Sequence, residues 1–195
     1  GKVDGNAKSD AANFVMSGLL GAIHHPEPKT VLVIGLGTGE TAGWLAEIDS
    51  VERVDVVEME PVIVDVAEAC KSANFDVLNH PKVNLVIGDA REFLPTSDTR
   101  YDLIVSQPSN PYRAGISSLF TREYYQSSRE HLTDDGLFLQ WVQAYKVDAR
   151  TVRSVYATLS QEFDHVETWS SMLGSDLVLL SSASPIVYDV RRLQE

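Results

Sequence analysis

Four short segments carry residues that could do chemistry together. The first is Gly35-Leu36-Gly37-Thr38-Gly39-Glu40, which follows the apolar run Val31-Leu32-Val33-Ile34. Glycines accept positive φ and let a ligand approach the backbone, and a helix starting after them offers unpaired N–H groups and a partial positive charge. Glycine runs are common in turns. The weight of this one comes from the strand pattern before it and the helical pattern after it. The second segment is Glu58-Met59-Glu60, at the end of the run Val56-Val57. Glu58 stands about 20 residues past the loop, the spacing at which a Rossmann-type domain places the carboxylate that holds ribose hydroxyls. The third is Gly88-Asp89-Ala90. Asp89 could accept from an adenine amino group, with Gly88 and Ala90 leaving room for the ring; it could equally cap the helical stretch 90–94. The fourth is Ser106-Gln107-Pro108-Ser109-Asn110-Pro111-Tyr112, at a strand end beside which the reacting group of such sheets sits. Gln107 and Asn110 donate and accept hydrogen bonds but cannot serve as bases. The expected cofactor set is therefore Gly35, Gly37, Gly39, Glu58, Met59, Asp89, Ala90 and Ser106. The expected reaction set is Gln107, Asn110 and Tyr112.

These segments need a scaffold that brings strand ends together. Short β-branched runs at 30–34, 53–58, 83–87, 101–105 and 136–142 alternate with helical stretches, and 165–169 and 176–182 form a final strand pair. Continuous apolar runs such as Leu103-Ile104-Val105 suit strands covered on both faces. Helices are expected at Glu40–Ile48, Pro61–Ser72, Phe120–Leu132 and Ala149–Glu162. In the second of these, Val62, Val66 and Ala69 recur at helical spacing. The alternation predicts an α/β fold with right-handed crossovers. Its order matches the Rossmann-like fold of class I S-adenosylmethionine-dependent methyltransferases, a seven-stranded, mostly parallel sheet with helices on both faces. Residues 1–29 fall outside the alternation and read as a lead-in with a helix at Asp10–Ile23. Residues 30–195 read as the cofactor-binding catalytic domain.

Composition narrows the partners. The net charge of −12 runs against a protein that tracks nucleic-acid phosphates and suits cationic ligands such as a sulfonium. The single cysteine, Cys70, excludes an internal disulfide and suits a reducing compartment. No apolar run reaches the ~18 residues of a membrane span, and no signal-peptide pattern is read. His24 and His25 lack partners at metal-ligand spacing, so no metal is expected.

Taken together, the segments resemble the spermidine/spermine synthase (polyamine aminopropyltransferase) family, in particular a divergent, spermidine-synthase-like bacterial branch. The carrying segments are 25–39, Val57-Glu58-Met59-Glu60, 88–94, 101–111 and 119–125. The resemblance implies that Glu58 holds ribose, that Asp89 meets adenine and that 106–111 floors the reaction site. An aminopropyl or methyl group would pass from S-adenosylmethionine or its decarboxylated form to a small amine-type acceptor. It also implies a homodimer in the cytoplasm, or a cytosolic domain whose membrane segment lies outside this chain. In the family, the reaction loop carries two aspartates separated by two residues. One assists deprotonation of the amine and the other binds the polyamine. Gln107 and Asn110 stand at those positions here. An aliphatic ammonium with a pKa of about 10.4 must lose a proton before it attacks carbon. A carboxylate assists that loss and an amide does not. Aminopropyl transfer thus stands beside methyl transfer, intramolecular cleavage of the cofactor and adenosyl binding without turnover.

Overall fold

Strand and helix alternate as the hydrophobic pattern requires. The computed structural model describes residues 11–109, 111–112, 115–143, 147–170 and 176–188. Among the described residues, seven strands form one sheet: β1 Thr30–Ile34, β2 Arg53–Glu58, β3 Val83–Ile87, β4 Tyr101–Ser106, β5 Leu132–Gln143, β6 His165–Ser170 and β7 Asp176–Ser182. Their order is β3-β2-β1-β4-β5-β7-β6. The pairings from β3 through β5 are parallel, and β7 runs antiparallel to both β5 and β6. The helices are α1 Ala11–His24, α2 Glu40–Ala46, α3 Ile63–Ala69, α4 Ala90–Phe93, α5 Arg122–Glu130 and α6 Ala149–Leu159.

Side chains alternate across each strand and so supply two separate cores. On one face, Val31, Val33, Val56, Leu103 and Leu139 pack with Leu20 of α1, Leu45 of α2 and Ala67 of α3. On the other, Leu32, Ile34, Ile104 and Phe138 pack with Tyr124 and Tyr125 of α5 and Leu159 of α6. A sheet covered on both faces explains the unbroken apolar runs.

Polar clamps fix the sheet between these layers. Asp102 Oδ2 accepts from the backbone N–H groups of Lys29 at 2.8 Å and Thr30 at 2.9 Å, which holds the start of β1. Its Oδ1 accepts from Thr133 Oγ1 at 3.1 Å. Deeper in, the fully buried Asp55 accepts from Tyr101 Oη at 2.9 Å, Asn84 Nδ2 at 2.8 Å and Arg53 Nε at 3.0 Å. Burial pushes the Tyr101 phenol up to about 12.

Several element bounds differ from expectation for local reasons. β5 begins at Leu132 rather than 136, because Leu132 pairs with Tyr101 and a register shift after Tyr101 absorbs the intervening residues. The helix expected from Phe120 splits: Ser117–Phe120 is a 3₁₀ turn, and Thr121 is extended and caps α5 by accepting from Tyr124 N. α3 is shorter than 61–72, since Cys70 leaves helical geometry and left-handed Phe75 and Asp76 follow. It also turns the other way. Ile63 and Ala67 pack inward, while Val62 and Val66 are exposed. α2 stops at Ala46 and α6 at Leu159, each a few residues early, and α1 runs on to His24. Asp10 lies outside the described residues.

Candidate functional site

The C-terminal ends of four parallel strands are stitched to one another. Gly88 N donates to Glu58 O at 2.9 Å, Gly35 N to Val57 O at 2.9 Å, and Gln107 N to Ile34 O at 2.9 Å. The segments singled out in the sequence therefore share one edge. The strand order reverses between β1 and β4, and ligands of open α/β sheets bind in the crevice at such a switch point. There the loops after β1 and β4 touch: a Cβ on Gly35 would stand 3.1 Å from the Gln107 carbonyl oxygen.

Backbone shape makes the loop after β1. Gly35, Gly37 and Gly39 adopt φ of +98°, +53° and +81°. An L-residue is strained there, so the three glycines are structural requirements of this turn. Gly39 is also crowded, since a Cβ would lie 2.7 Å from Val77 Cγ1 and 2.8 Å from Asn74 Nδ2. At Gly37 and Gly88, by contrast, a Cβ would meet nothing within 4 Å. Those two positions leave open space on either side of Glu58.

Glu58 is buried and holds the loop. Its Oε2 accepts from Leu36 N at 2.8 Å and its Oε1 from Glu60 N at 2.9 Å. Each carboxylate oxygen can accept two bonds and here accepts one, so two positions remain for ligand hydroxyls. Met59 beside it is exposed. Asp89 is half-buried and acts as the N-cap of α4, accepting from Arg91 N at 2.9 Å. The Arg91 guanidinium pairs with the same carboxylate and holds its pKa below the usual range. Capping, one of the two uses weighed from the sequence, is present in this geometry.

Two of the expected cofactor residues turn their side chains into the core. Ser106 is fully buried, and its Oγ accepts from Tyr124 Oη at 2.8 Å. It shares a face of β4 with Ile104, so the pleat directs it away from the edge. Ala90 packs with Ile34 and Val57 in the same cluster. Any contact these two make with a ligand would have to come from backbone. In the reaction set, Gln107 Oε1 accepts from Thr41 Oγ1 at 2.8 Å, which links the loop after β4 to the first turn of α2. Its Nε2 is buried and has no hydrogen-bond partner among the described residues. Tyr112 is exposed, and Asn110 lies outside the described residues.

Sequence reasoning missed three positioning side chains. Thr41 orients Gln107. Thr38 donates to the buried Glu40 at 2.9 Å. Asn74 Nδ2 donates to Thr38 O and Ala67 O, both at 2.8 Å, which ties the glycine loop to α3. Thr38 and Thr41 lie within or beside the glycine motif and could have been weighed; Asn74 gives no such signal.

The opposite edge of the sheet offers different chemistry. A cavity of about 350 Å³ opens there among Ile23, Pro26, Leu137, Pro185 and Ile186. It lacks the glycine turns and strand-end donors of the other edge. His25, Asp102 and Asp135 bring potential metal-ligand atoms within 4.8 Å of one another. His25 Nδ1, however, accepts from Glu27 N at 3.3 Å, which puts the ring proton on Nε2, facing Asp135 at 3.7 Å. A histidine in that tautomer has no lone pair left at Nε2 for a metal. His24 lies against Trp169 and Tyr188, and burial lowers its pKa. Among the described residues, no helix is long and apolar enough to cross a membrane.

Comparison with known proteins identifies the family and the fold. Residues 16–174 match the spermine/spermidine synthase domain. A polyamine aminopropyltransferase of Clostridium perfringens is 30% identical over 156 residues, which are 75% of this chain and 55% of that protein. One from Streptococcus uberis is 30% identical over 162 residues, 80% of this chain and 56% of that protein. The chain thus spans about half the length of these relatives. Among solved structures, a spermidine synthase in complex with the transition state analogue AdoDATO superposes with a TM-score of 0.85 at 22% identity, over 94% of this chain and 65% of that one. Human methyltransferase-like protein 13 in complex with SAH gives a TM-score of 0.74 at 18% identity, over 95% of this chain and 87% of that one.

Proposed function

Because this chain belongs to the spermine/spermidine synthase domain family, we propose that it binds the adenosyl end of S-adenosylmethionine or its decarboxylated form and transfers an alkyl group to a small amine. The observation that carries this reading is the buried Glu58, which holds the positive-φ glycine loop at the sheet's switch point with acceptor positions to spare. In this reading Glu58 takes the ribose hydroxyls, and the space beside Gly37 and Gly88 admits the nucleoside. Asp89 and Met59 border the adenine.

The chemistry asked of the protein is modest. The amine lone pair attacks the carbon attached to sulfur. The C–S bond breaks with its electrons going to sulfur, which leaves a neutral thioether, and the amine gives up a proton. Positioning the two reactants in line supplies most of the acceleration. Gln107, Asn110 and Tyr112 would orient the acceptor.

Gln107 also favours a second reading, binding without turnover, because an amide cannot take the amine's proton. One experiment separates the two. The chain is heated with S-adenosylmethionine, its decarboxylated form or methylthioadenosine, then incubated with each donor and putrescine. A ligand at 100 times its dissociation constant adds about 2.7 kcal/mol of stability. Stabilisation together with release of methylthioadenosine or S-adenosylhomocysteine is the expected result. Stabilisation without product favours the binding domain for that acceptor. No stabilisation by any of the three would remove the basis of both.

A further inference from the structure

The edge of the sheet opposite the glycine loop holds the cavity of about 350 Å³, a size within the range of small-molecule pockets. Two features of the chain build it. The first is a bulge in β5. Tyr101 pairs with Leu132 and Leu103 with Leu137, so β5 advances five residues while β4 advances two. Bulges re-aim side chains and recur beside functional sites. The surplus residues here include Asp134 and Asp135, both exposed and both in the cavity lining. Gly136 permits the bulge, since a Cβ there would lie 3.0 Å from Leu132 Cβ, Thr133 N and Tyr101 O. The second feature is the segment after β7. It has no regular structure, yet it is pinned at both ends. Ser182 Oγ donates to Ser184 O at 2.5 Å. Tyr188 Oη donates to Glu167 Oε2, and the Tyr188 ring lies against His24 and Trp169. Between the pins, Pro185, Ile186 and Val187 line the cavity together with Ile23 and Leu137. A tail that served only to cover apolar surface would close onto it, because interiors pack with few voids larger than a water molecule. This one is fixed beside a space.

The lining sets the class of ligand. Ile23, Leu137, Pro185 and Ile186 offer hydrocarbon. The two carboxylates accept hydrogen bonds and donate none. Asp135 also faces His25 Nε2 at 3.7 Å, a contact longer than a hydrogen bond. Among the described residues, no lysine or arginine lines the cavity, and burial lowers the pKa of His24, which keeps its imidazole neutral at pH 7. The net charge of −12 adds attraction for a cation. We propose that this cavity binds an aliphatic ammonium, with its hydrocarbon against the apolar wall and its charge at Asp134 and Asp135. The site is separate from the strand-end site, and it does not depend on adenosyl binding there.

Three six-carbon probes that differ only in the head group test this: hexylammonium, hexanol and hexanoate. Each is titrated into the isotope-labelled chain, and amide chemical shifts report where it binds. Hexylammonium is expected to shift the amides of 134–137 and 184–187 saturably. At low salt it should bind about fivefold or more tighter than hexanol, with hexanoate weaker still. The carboxylates are exposed, so this preference should shrink as salt is raised. Asp134→Asn combined with Asp135→Asn should remove the preference for the ammonium while hexanol still binds. Val187→Lys, at an exposed position, brings a competing ammonium to the cavity and should weaken hexylammonium more than hexanol. Unchanged amide shifts in the rest of the sheet check that both variants fold. Hexanol binding as tightly as hexylammonium would reduce the cavity to an unselective apolar slot and overturn the proposal. So would shifts confined to the glycine-loop edge, no saturable shift at all, or a preference that survives loss of both carboxylates.

Discussion

Glu58 and Asp102 use the same device at opposite edges of the sheet. They sit on the two strands that flank β1, and each carboxylate reaches sideways to backbone N–H groups at one end of β1. Asp102 takes Lys29 N and Thr30 N at its start; Glu58 takes Leu36 N just past its finish. What differs is the surroundings. Asp102 accepts a third bond from Thr133 and so ties three strands into a closed corner. Glu58 is flanked by glycines in positive φ and by two positions where even a Cβ would touch nothing. One carboxylate finishes a piece of architecture, and the other holds an opening in place. The fold needs both, but the positive-φ glycine turns lie beside the second. The contrast therefore lies in the backbone around each acid more than in the acid itself.

The sharpest way to break that contrast is to give the open edge a side chain it cannot hold. Gly39→Ala adds a Cβ at φ +81°, 2.7 Å from Val77 Cγ1 and 2.8 Å from Asn74 Nδ2. Left-handed strain of about 1–2 kcal/mol adds to overpacking of about 1–3 kcal/mol. The urea midpoint should fall by the equivalent of about 3 kcal/mol. A loss below about 1 kcal/mol would mean the loop yields easily and is no rigid cradle. Asp102→Ala comes next. It strands two backbone donors and a hydroxyl, for about 2 kcal/mol, yet methylthioadenosine affinity should hold within about twofold because the change is remote from the site. Glu58→Gln reverses that pattern. The new N–H₂ must face either Leu36 N or Glu60 N, donor against donor. Stability should fall by about 1–2 kcal/mol, and nucleoside affinity by about tenfold or more. Equal effects of the two substitutions on nucleoside affinity would erase the distinction between the edges.

The residues that were legible in the sequence are those whose role is written locally. Val31 to Gly39 shows a buried strand, a turn and a helix start within nine neighbouring positions, and Glu58 ends an apolar run. The parallel sheet and the shared edge follow from alternation and crossover handedness, whereas the strand order is set by long-range pairing. The orientation of Ser106 was also available, since it has the same strand parity as the apolar Ile104. What was not legible depends on partners far along the chain. Thr41 meets Gln107 across 66 positions, and Asp102 meets Thr30 across 72. In α3, Val62/Val66 and Ile63/Ala67 have the same spacing. In a helix of seven residues the period is readable but the phase is not, and contact with the sheet decides which pair turns inward.

Arg91 offers the smallest and finest test, because it bears on which edge of the comparison Asp89 belongs to. Hydrogen bonding from Arg91 holds the Asp89 carboxyl below its ordinary 3.8. The unfolded chain therefore takes up that proton first as the solution is acidified. The stability from the pair is fully present above pH 3.8 and is lost as pH falls through the lower folded value. Arg91→Met keeps the backbone N–H cap and removes the guanidinium. At pH 7 the cost should be under about 1 kcal/mol, since the pair is partly exposed and screened. Below pH 4 the loss of stability with acid should become shallower, as read from urea midpoints across that range, while a carboxyl titration shows the Asp89 value rising. Nucleoside affinity then decides what the cap is for. If Asp89 accepts from the adenine amino group, Arg91→Met should leave methylthioadenosine binding intact and Asp89→Asn should weaken it by several-fold, about the value of one hydrogen bond. If neither change moves the affinity, Asp89 caps α4 and nothing more, and it belongs with Asp102 among the acids that build the sheet.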